Sequence, residues 1–307
     1  MRVIFFGTPD FAVPSLQALL QSGVDVPLVV TQPDHGQGHL HRTPRPPAVK
    51  RVAEAAGLSI AQPERPRGDE FYAQLRALNA DLGVVVAYGH LLRPELLAIP
   101  RLGCVNVHAS LLPRWRGAAP IHWAVLSGDA ETGVAIMRVE EGLDTGGIWH
   151  SKRTPILPSD TTGQLFDRLA HLGAEALIEA LPRISGGEQP MIQRNDAATL
   201  APKMGREIAR VNWSEPADAV SCRLRAMDPR PGAWTSIGGL EIKLFQPRVV
   251  PGVVESPGTV LESDHHLVIG CRGGAIEVTE VQPAGKRRMT ALDWIRGSGV
   301  APGARFE

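Results

Sequence analysis

A chain of 307 residues, 43% apolar and 21% charged, has enough apolar side chain for one large domain or two ordinary ones, which excludes a disordered protein. Its 32 basic and 32 acidic side chains cancel, so a nucleic-acid partner would need a local patch and could not rely on bulk charge. The three scattered cysteines, Cys104, Cys222 and Cys271, support neither a disulfide framework nor a structural metal site. The apolar run after Arg2 stops at Phe6, too short for a signal-peptide core, and no later run reaches the length of a membrane span. A cytoplasmic protein with no membrane partner is expected.

From the N-terminus, short apolar runs alternate with amphipathic stretches, the pattern of strand, crossover helix and parallel strand. Val3–Gly7 reads as a buried strand, residues 11–22 as a helix with Pro14 near its first turn, and residues 26–31 as a second strand. Residues 32–47 then run almost without apolar content, longer than most connections in a compact domain. Helical period returns at residues 49–56 and 70–78, followed by a continuous β-branched run, residues 82–88, of the kind found in a strand covered on both faces. Residues 103–108 are a further strand and 119–127 a helix entered through Pro120. Extended runs at 134–139 and 147–153 flank the turn Glu140-Glu141-Gly142-Leu143-Asp144-Thr145-Gly146, and residues 160–184 form a helix ended by Gly186-Gly187.

Beyond this point the pattern changes. Residues 209–307 carry one helix candidate, 217–227, and then short strands with glycine turns at 234–237, 240–245, 258–261, 267–271 and 275–281, which suggests an OB-like β-barrel. The expected fold is α/β: a Rossmann-like, mostly parallel sheet in a domain over 1–189, a linker over 190–208, and the barrel over 209–307. Residues 1–189 hold 17 basic and 19 acidic side chains, and residues 206–307 hold 13 and 12, so the barrel is barely positive. If it binds RNA, it does so through a face such as Lys286-Arg287-Arg288.

Asn106 and His108 lie two apart on a predicted strand, so they share a face, and they sit where the strand enters the Ala109-Ser110-Leu111-Leu112-Pro113 loop. Ligands of open α/β sheets bind at the carboxyl ends of strands. An amide and an imidazole aimed into one crevice can stabilise an oxyanion and manage a proton, although both could equally satisfy backbone groups. Leu112-Pro113-Arg114-Trp115-Arg116-Gly117 follows directly and reads either as a functional loop or as a surface loop with solvated arginines. Asp144, between glycines, suits a turn as well as a site. Gly7-Thr8-Pro9-Asp10 lacks the later glycines of a dinucleotide fingerprint, so NAD is not expected. His35, His39 and His41 have ligand-like spacing but no cysteine or carboxylate pair nearby, so no metal is expected either.

The run Cys104-Val105-Asn106-Val107-His108-Ala109-Ser110-Leu111-Leu112-Pro113-Arg114-Trp115-Arg116-Gly117-Ala118-Ala119-Pro120-Ile121, with residues 128–133 and Gly142-Leu143-Asp144-Thr145-Gly146, resembles the folate-dependent formyltransferase superfamily. Phe6-Gly7-Thr8-Pro9-Asp10-Phe11, Thr31-Gln32-Pro33-Asp34, Val86-Ala87-Tyr88-Gly89 and Gln282-Pro283-Ala284-Gly285-Lys286 extend the resemblance along the chain, and make it most similar to the branch that acts on methionyl-tRNA. The resemblance implies a monomeric enzyme of the bacterial cytoplasm that moves the formyl group of 10-formyltetrahydrofolate, its co-substrate, to the α-amine of methionyl initiator tRNA. It implies Asn106, His108 and Asp144 as the catalytic set, Ser110, Leu111, Leu112 and Pro113 as folate contacts, and Arg42, Arg45, Lys286, Arg287 and Arg288 as tRNA contacts. One departure stands out: the loop after Asp34, usually rich in lysine, here has three histidines and two arginines and no lysine before Lys50. The same three catalytic residues would serve a formyl-folate hydrolase or a small-substrate formyltransferase, against which the barrel argues. A noncatalytic RNA-binding protein would leave them without a role.

Overall fold

The computed structural model describes residues 1–34, 45–252 and 256–307. The chain divides into two compact units, one gathering Met1–Gly117, Gly133–Thr154 and Phe166–Leu200, the other Ala118–Thr132, Pro155–Leu165 and Ala201–Glu307. In chain order the elements begin with β1 (Arg2–Gly7), α1 (Val13–Gln21), β2 (Asp25–Val30), α2 (Ala48–Ala55), β3 (Ile60–Ala61), α3 (Asp69–Ala77), β4 (Leu82–Val86), α4 (Pro94–Leu97) and β5 (Cys104–His108). They continue with α5 (Pro120–Leu126), β6 (Glu131–Arg138), β7 (Ile148–Pro155), α6 (Thr162–Ser185) and α7 (Ala217–Ala226). The last are β8 (Ala233–Ile237), β9 (Leu240–Val250), β10 (Val260–Glu262), β11 (Leu267–Cys271), β12 (Gly274–Pro283), β13 (Met289–Thr290) and α8 (Ala291–Ser298).

The first unit is built on a seven-stranded sheet in the order β3-β2-β1-β4-β5-β6-β7. β1 lies parallel to β2 and β4, β2 to β3, and β4 to β5, while β6 runs antiparallel to β5. Val3, Ile4, Phe5 and Phe6 have no exposed surface, as befits a central parallel strand covered on both faces. Ile4 and Phe6 join Leu28, Val30, Tyr72, Leu75, Tyr88 and Leu96 in one buried cluster. The run from Leu82 leaves the sheet at Val86, because Ala87 turns left-handed (φ 46°) and Gly89 follows at φ 86°. On β5, Val107 packs so closely on α6 that a Cβ added to Gly173 would lie 2.7 Å from its Cγ1. That glycine lets the helix approach the strand that carries Asn106 and His108.

The second unit contains an antiparallel sheet ordered β10-β11-β12-β9-β8, with β13 on β12. Its two edges, β10 and β8, are joined by the C-terminal segment: Phe306 bridges Ile237, Arg305 bridges Thr259, and Val260 N donates to Ala304 O at 2.8 Å. The C-terminal part is thus an all-antiparallel β domain, as expected, with both edge strands bridged by the C-terminal segment. Phe306 is buried against Trp213 at a ring separation of 5.8 Å. The expectation of a single helix in this region is corrected by α8. It is short and buries only Ala291 and Ile295, too weak a stripe to register as a period. Its ends are nevertheless well formed: the Thr290 side chain accepts from Asp293 N, and Gly299 caps in the left-handed region at φ 67°.

Candidate active site

Asn106 and His108 project from the same face of β5, opposite Met137 and Ala135 of β6. His108 is 5% exposed, whereas Asn106 is half-buried. Among the described residues the Asn106 side chain makes no protein hydrogen bond, so its amide donor and acceptor are both available to a ligand. Among the described residues, His108 is hydrogen-bonded at one ring nitrogen only. Its Nε2 lies 2.9 Å from the Trp115 carbonyl, which can only accept, so Nε2 carries hydrogen. Nδ1 faces Asp144, with Oδ2 at 3.7 Å, close enough for charge attraction but too far for a hydrogen bond.

The Trp115 carbonyl reaches the histidine because Trp115 is left-handed, at φ 63°, a conformation a bulky side chain adopts at a cost of about 1–2 kcal/mol. Its backbone N–H donates to Thr199 Oγ1 at 2.9 Å, and its ring lies under the Arg114 guanidinium at 4.4 Å. Asp144 is also left-handed (φ 51°), and the Gly117 N–H donates to its Oδ2 at 2.8 Å. Gly146 follows in a turn so tight that an added Cβ would lie 2.0 Å from Arg138 O.

Ser110 is fully buried, and its hydroxyl donates to Arg114 O at 2.6 Å, so it braces the loop. Leu112 packs with Ala135, Met137 and Ile148. Leu111 and Pro113 are partly exposed, and Leu111 lies against Gly133. Burial pushes the Cys104 thiol, at the start of β5, up to about 12, so it is no thiolate nucleophile near neutral pH. Tyr88 is likewise raised to about 12 by burial, and its hydroxyl has no hydrogen-bond partner among the described residues.

Of the expected tRNA contacts, Arg42 lies outside the described residues, as do His35, His39 and His41, while Arg45 is exposed. Lys286 and Arg287 are exposed on the turn between β12 and β13. Arg288 is engaged within its own unit. Nη1 and Nη2 reach the Asp228 carboxylate at 2.8 and 3.2 Å, Nε donates to Glu280, and the guanidinium stacks on Phe245 at 4.0 Å.

Three residues of the site carry no mark in the sequence. Thr199 holds Trp115, Asn195 accepts from Arg116 Nη2 at 3.0 Å, and Gln193 accepts from Arg116 at 2.8 and 3.0 Å while donating to Asp144 O and Gly146 O at 2.9 and 2.7 Å. All three fall in residues 190–208, where no apolar period or motif marks them.

The arrangement is an amide and an imidazole at a strand end beside a carboxylate on a facing turn. The chain matches the family model Formyl transferase over residues 1–181, and Formyl transferase, C-terminal domain over 203–299. It is 45% identical over 307 residues to the methionyl-tRNA formyltransferase of Jannaschia sp. (strain CCS1), covering all of both chains. The chain belongs to the methionyl-tRNA formyltransferase family. The family's protein from Paracoccus denitrificans (strain Pd 1222) is 47% identical over 97% of each chain. Solved structures share the fold at lower identity. The family's protein from Clostridium thermocellum superposes with a TM-score of 0.58 at 15% identity, over 82% of this chain and 94% of that one. The sugar 3N-formyl transferase WlaRD superposes with a TM-score of 0.68 at 17% identity, over 94% and 99%. HypX from Aquifex aeolicus, solved in complex with tetrahydrofolic acid, matches with a TM-score of 0.67 at 20% identity, over 96% of this chain and 47% of that one. The chain thus spans about half of HypX.

Proposed function

We propose that the chain transfers the formyl group of 10-formyltetrahydrofolate to the α-amine of methionyl initiator tRNA, giving N-formylmethionyl-tRNA. Full-length similarity to methionyl-tRNA formyltransferases carries this reading, together with the free Asn106 amide beside His108. The neutral amine attacks the formyl carbon, its nitrogen forms the new C–N bond, and the formyl oxygen takes the negative charge. Asn106 donates to that oxyanion. With Nε2 committed to Trp115, His108 has only Nδ1 left for proton exchange. Nδ1, 3.7 Å from Asp144 Oδ2, is the atom through which the imidazole reaches the reacting groups and helps polarise the formyl oxygen. Asp144 accepts the proton that the amine sheds. Collapse of the tetrahedral adduct breaks the bond from the formyl carbon to the folate nitrogen, which takes up the proton Asp144 received from the amine and so returns Asp144 to its carboxylate form.

Leu111, Leu112 and Pro113 line the folate, with Ser110 bracing the loop from behind. Lys286, Arg287, Arg42 and Arg45 meet tRNA phosphates, and Arg288 supports the turn through Asp228. In this reading residues 1–189 hold the chemistry, 209–307 bind tRNA, 190–208 connect them, and the enzyme works as a cytoplasmic monomer. Among the described residues, no helix is long and apolar enough to cross a membrane.

The test is an acceptor comparison. With labelled 10-formyltetrahydrofolate, formyl should appear on methionyl initiator tRNA and not on uncharged tRNA, free methionine or an amino sugar. Loss of formyl to water without charged tRNA would make the chain a hydrolase and overturn the reading.

A further inference from the structure

We propose that Arg116 and Gln193 are positioning residues for Asp144. They form a buried guanidinium–amide pair that fixes the turn carrying the carboxylate against the turn that holds His108, and so sets the gap between the two groups. The inference rests on formyl transfer being the reaction.

Both residues are 6% exposed. Arg116 directs Nε and Nη2 at a single oxygen, Gln193 Oε1, at 3.0 and 2.8 Å, and Nη2 also reaches Asn195 Oδ1 at 3.0 Å. That fork fixes which way the Gln193 amide points. Inverted, it would oppose its NH2 to two N–H donors and its oxygen to two carbonyls. In the observed sense Nε2 donates to Asp144 O at 2.9 Å and Gly146 O at 2.7 Å. The two carbonyls flank Thr145 in a turn whose left-handed Asp144 is an uncommon conformation that its surroundings must impose.

The neighbours of Arg116 complete the coupling. Trp115, just before it, receives the His108 hydrogen bond, and Gly117, just after it, donates to Asp144 Oδ2. Arg116 N itself donates to Thr199 O at 2.9 Å, so residues 193–199 strap both turns together. Among the described residues Arg116 has no carboxylate partner. A buried charge satisfied only by amide oxygens is an expensive way to gain stability, so the fork's value lies in geometry.

The experiment is a double-mutant cycle in single-turnover formyl transfer to methionyl-tRNA, with folate and tRNA KM measured alongside kcat. Gln193→Met removes the acceptor and both donors at similar length. It should lower the rate roughly 10- to 100-fold, with either KM changing by less than about threefold. Combined with Asp144→Asn it should add almost no further loss, because both changes act on one group. Gln193→Glu keeps the oxygen for Arg116 but faces Asp144 O and Gly146 O without donors, and should behave like Gln193→Met. Arg116→Lys, which keeps charge but loses the fork, should fall between them and wild type. Losses that multiply in the double variant, a Gln193→Met rate within about threefold of wild type, or an effect confined to KM would each overturn the proposal. If Gln193→Met does not fold, Arg116→Lys carries the same cycle. A wild-type chain that transfers no formyl would instead refute the proposed function, a distinct result.

Discussion

The carboxyl end of β5 and the turn between β12 and β13 both display polar residues that stand out in the sequence, yet the fold uses them in opposite ways. At β5, Asn106 makes no protein hydrogen bond among the described residues, and His108 keeps one nitrogen uncommitted toward Asp144. At the barrel turn, Arg288 is held by Asp228 and Glu280 and stacked on Phe245, leaving Lys286 and Arg287 as the exposed charges. Stability is gained where donors are satisfied within the protein. Chemistry needs the groups that are left over.

The largest expected effect follows from that difference. Asn106→Ala and His108→Ala should each lower single-turnover formyl transfer by about two to three orders of magnitude, the usual loss for one oxyanion donor, with folding intact. A loss under about tenfold would remove that residue from the mechanism.

Arg288→Ala should act on stability. Asp228 is only 3% exposed and would lose its cation, at a cost of about 3 kcal/mol read from the urea midpoint. An unchanged midpoint would show that Arg288 is as replaceable as an exposed arginine. Lys286→Gln with Arg287→Gln should leave the midpoint alone and flatten the salt dependence of tRNA affinity, by roughly one log–log unit for each phosphate no longer neutralised. An unchanged slope would turn that face away from the RNA.

The smallest effect is a pH dependence in the second unit. Burial holds the His122 imidazole below its ordinary value, opposed only by the Arg230 carbonyl at 3.3 Å. The unfolded chain therefore binds a proton more readily, and stability at this site falls as pH drops below about 6.5. His122→Gln should reduce the loss of Tm between about pH 7.5 and 5.5 slightly, and a parallel curve would discount the histidine.

What was legible in the sequence follows the reach of local patterns. The two-residue spacing of Asn106 and His108 is a strand period, so their shared face could be read directly, and buried runs such as Val3–Phe6 announced the parallel sheet. Asp144 came through resemblance, since its approach to His108 depends on two left-handed turns that no periodicity encodes. Gln193 carried no signal, because a single glutamine between polar neighbours acquires meaning only when folding brings Arg116 and Asp144 to its two ends. Arg288 looked like an RNA contact for the same reason in reverse: its partner Asp228 lies 60 residues away.

In the proposed reaction Asp144 handles a proton at a site built around the uncommitted side of His108. That role is tested most directly by Asp144→Asn, which preserves an oxygen for the Gly117 N–H while removing the charge. Single-turnover formyl transfer should fall by about two orders of magnitude or more while the Kd for 10-formyltetrahydrofolate hardly moves. A parallel loss of folate affinity and rate would make Asp144 a binding or structural residue and contradict the account.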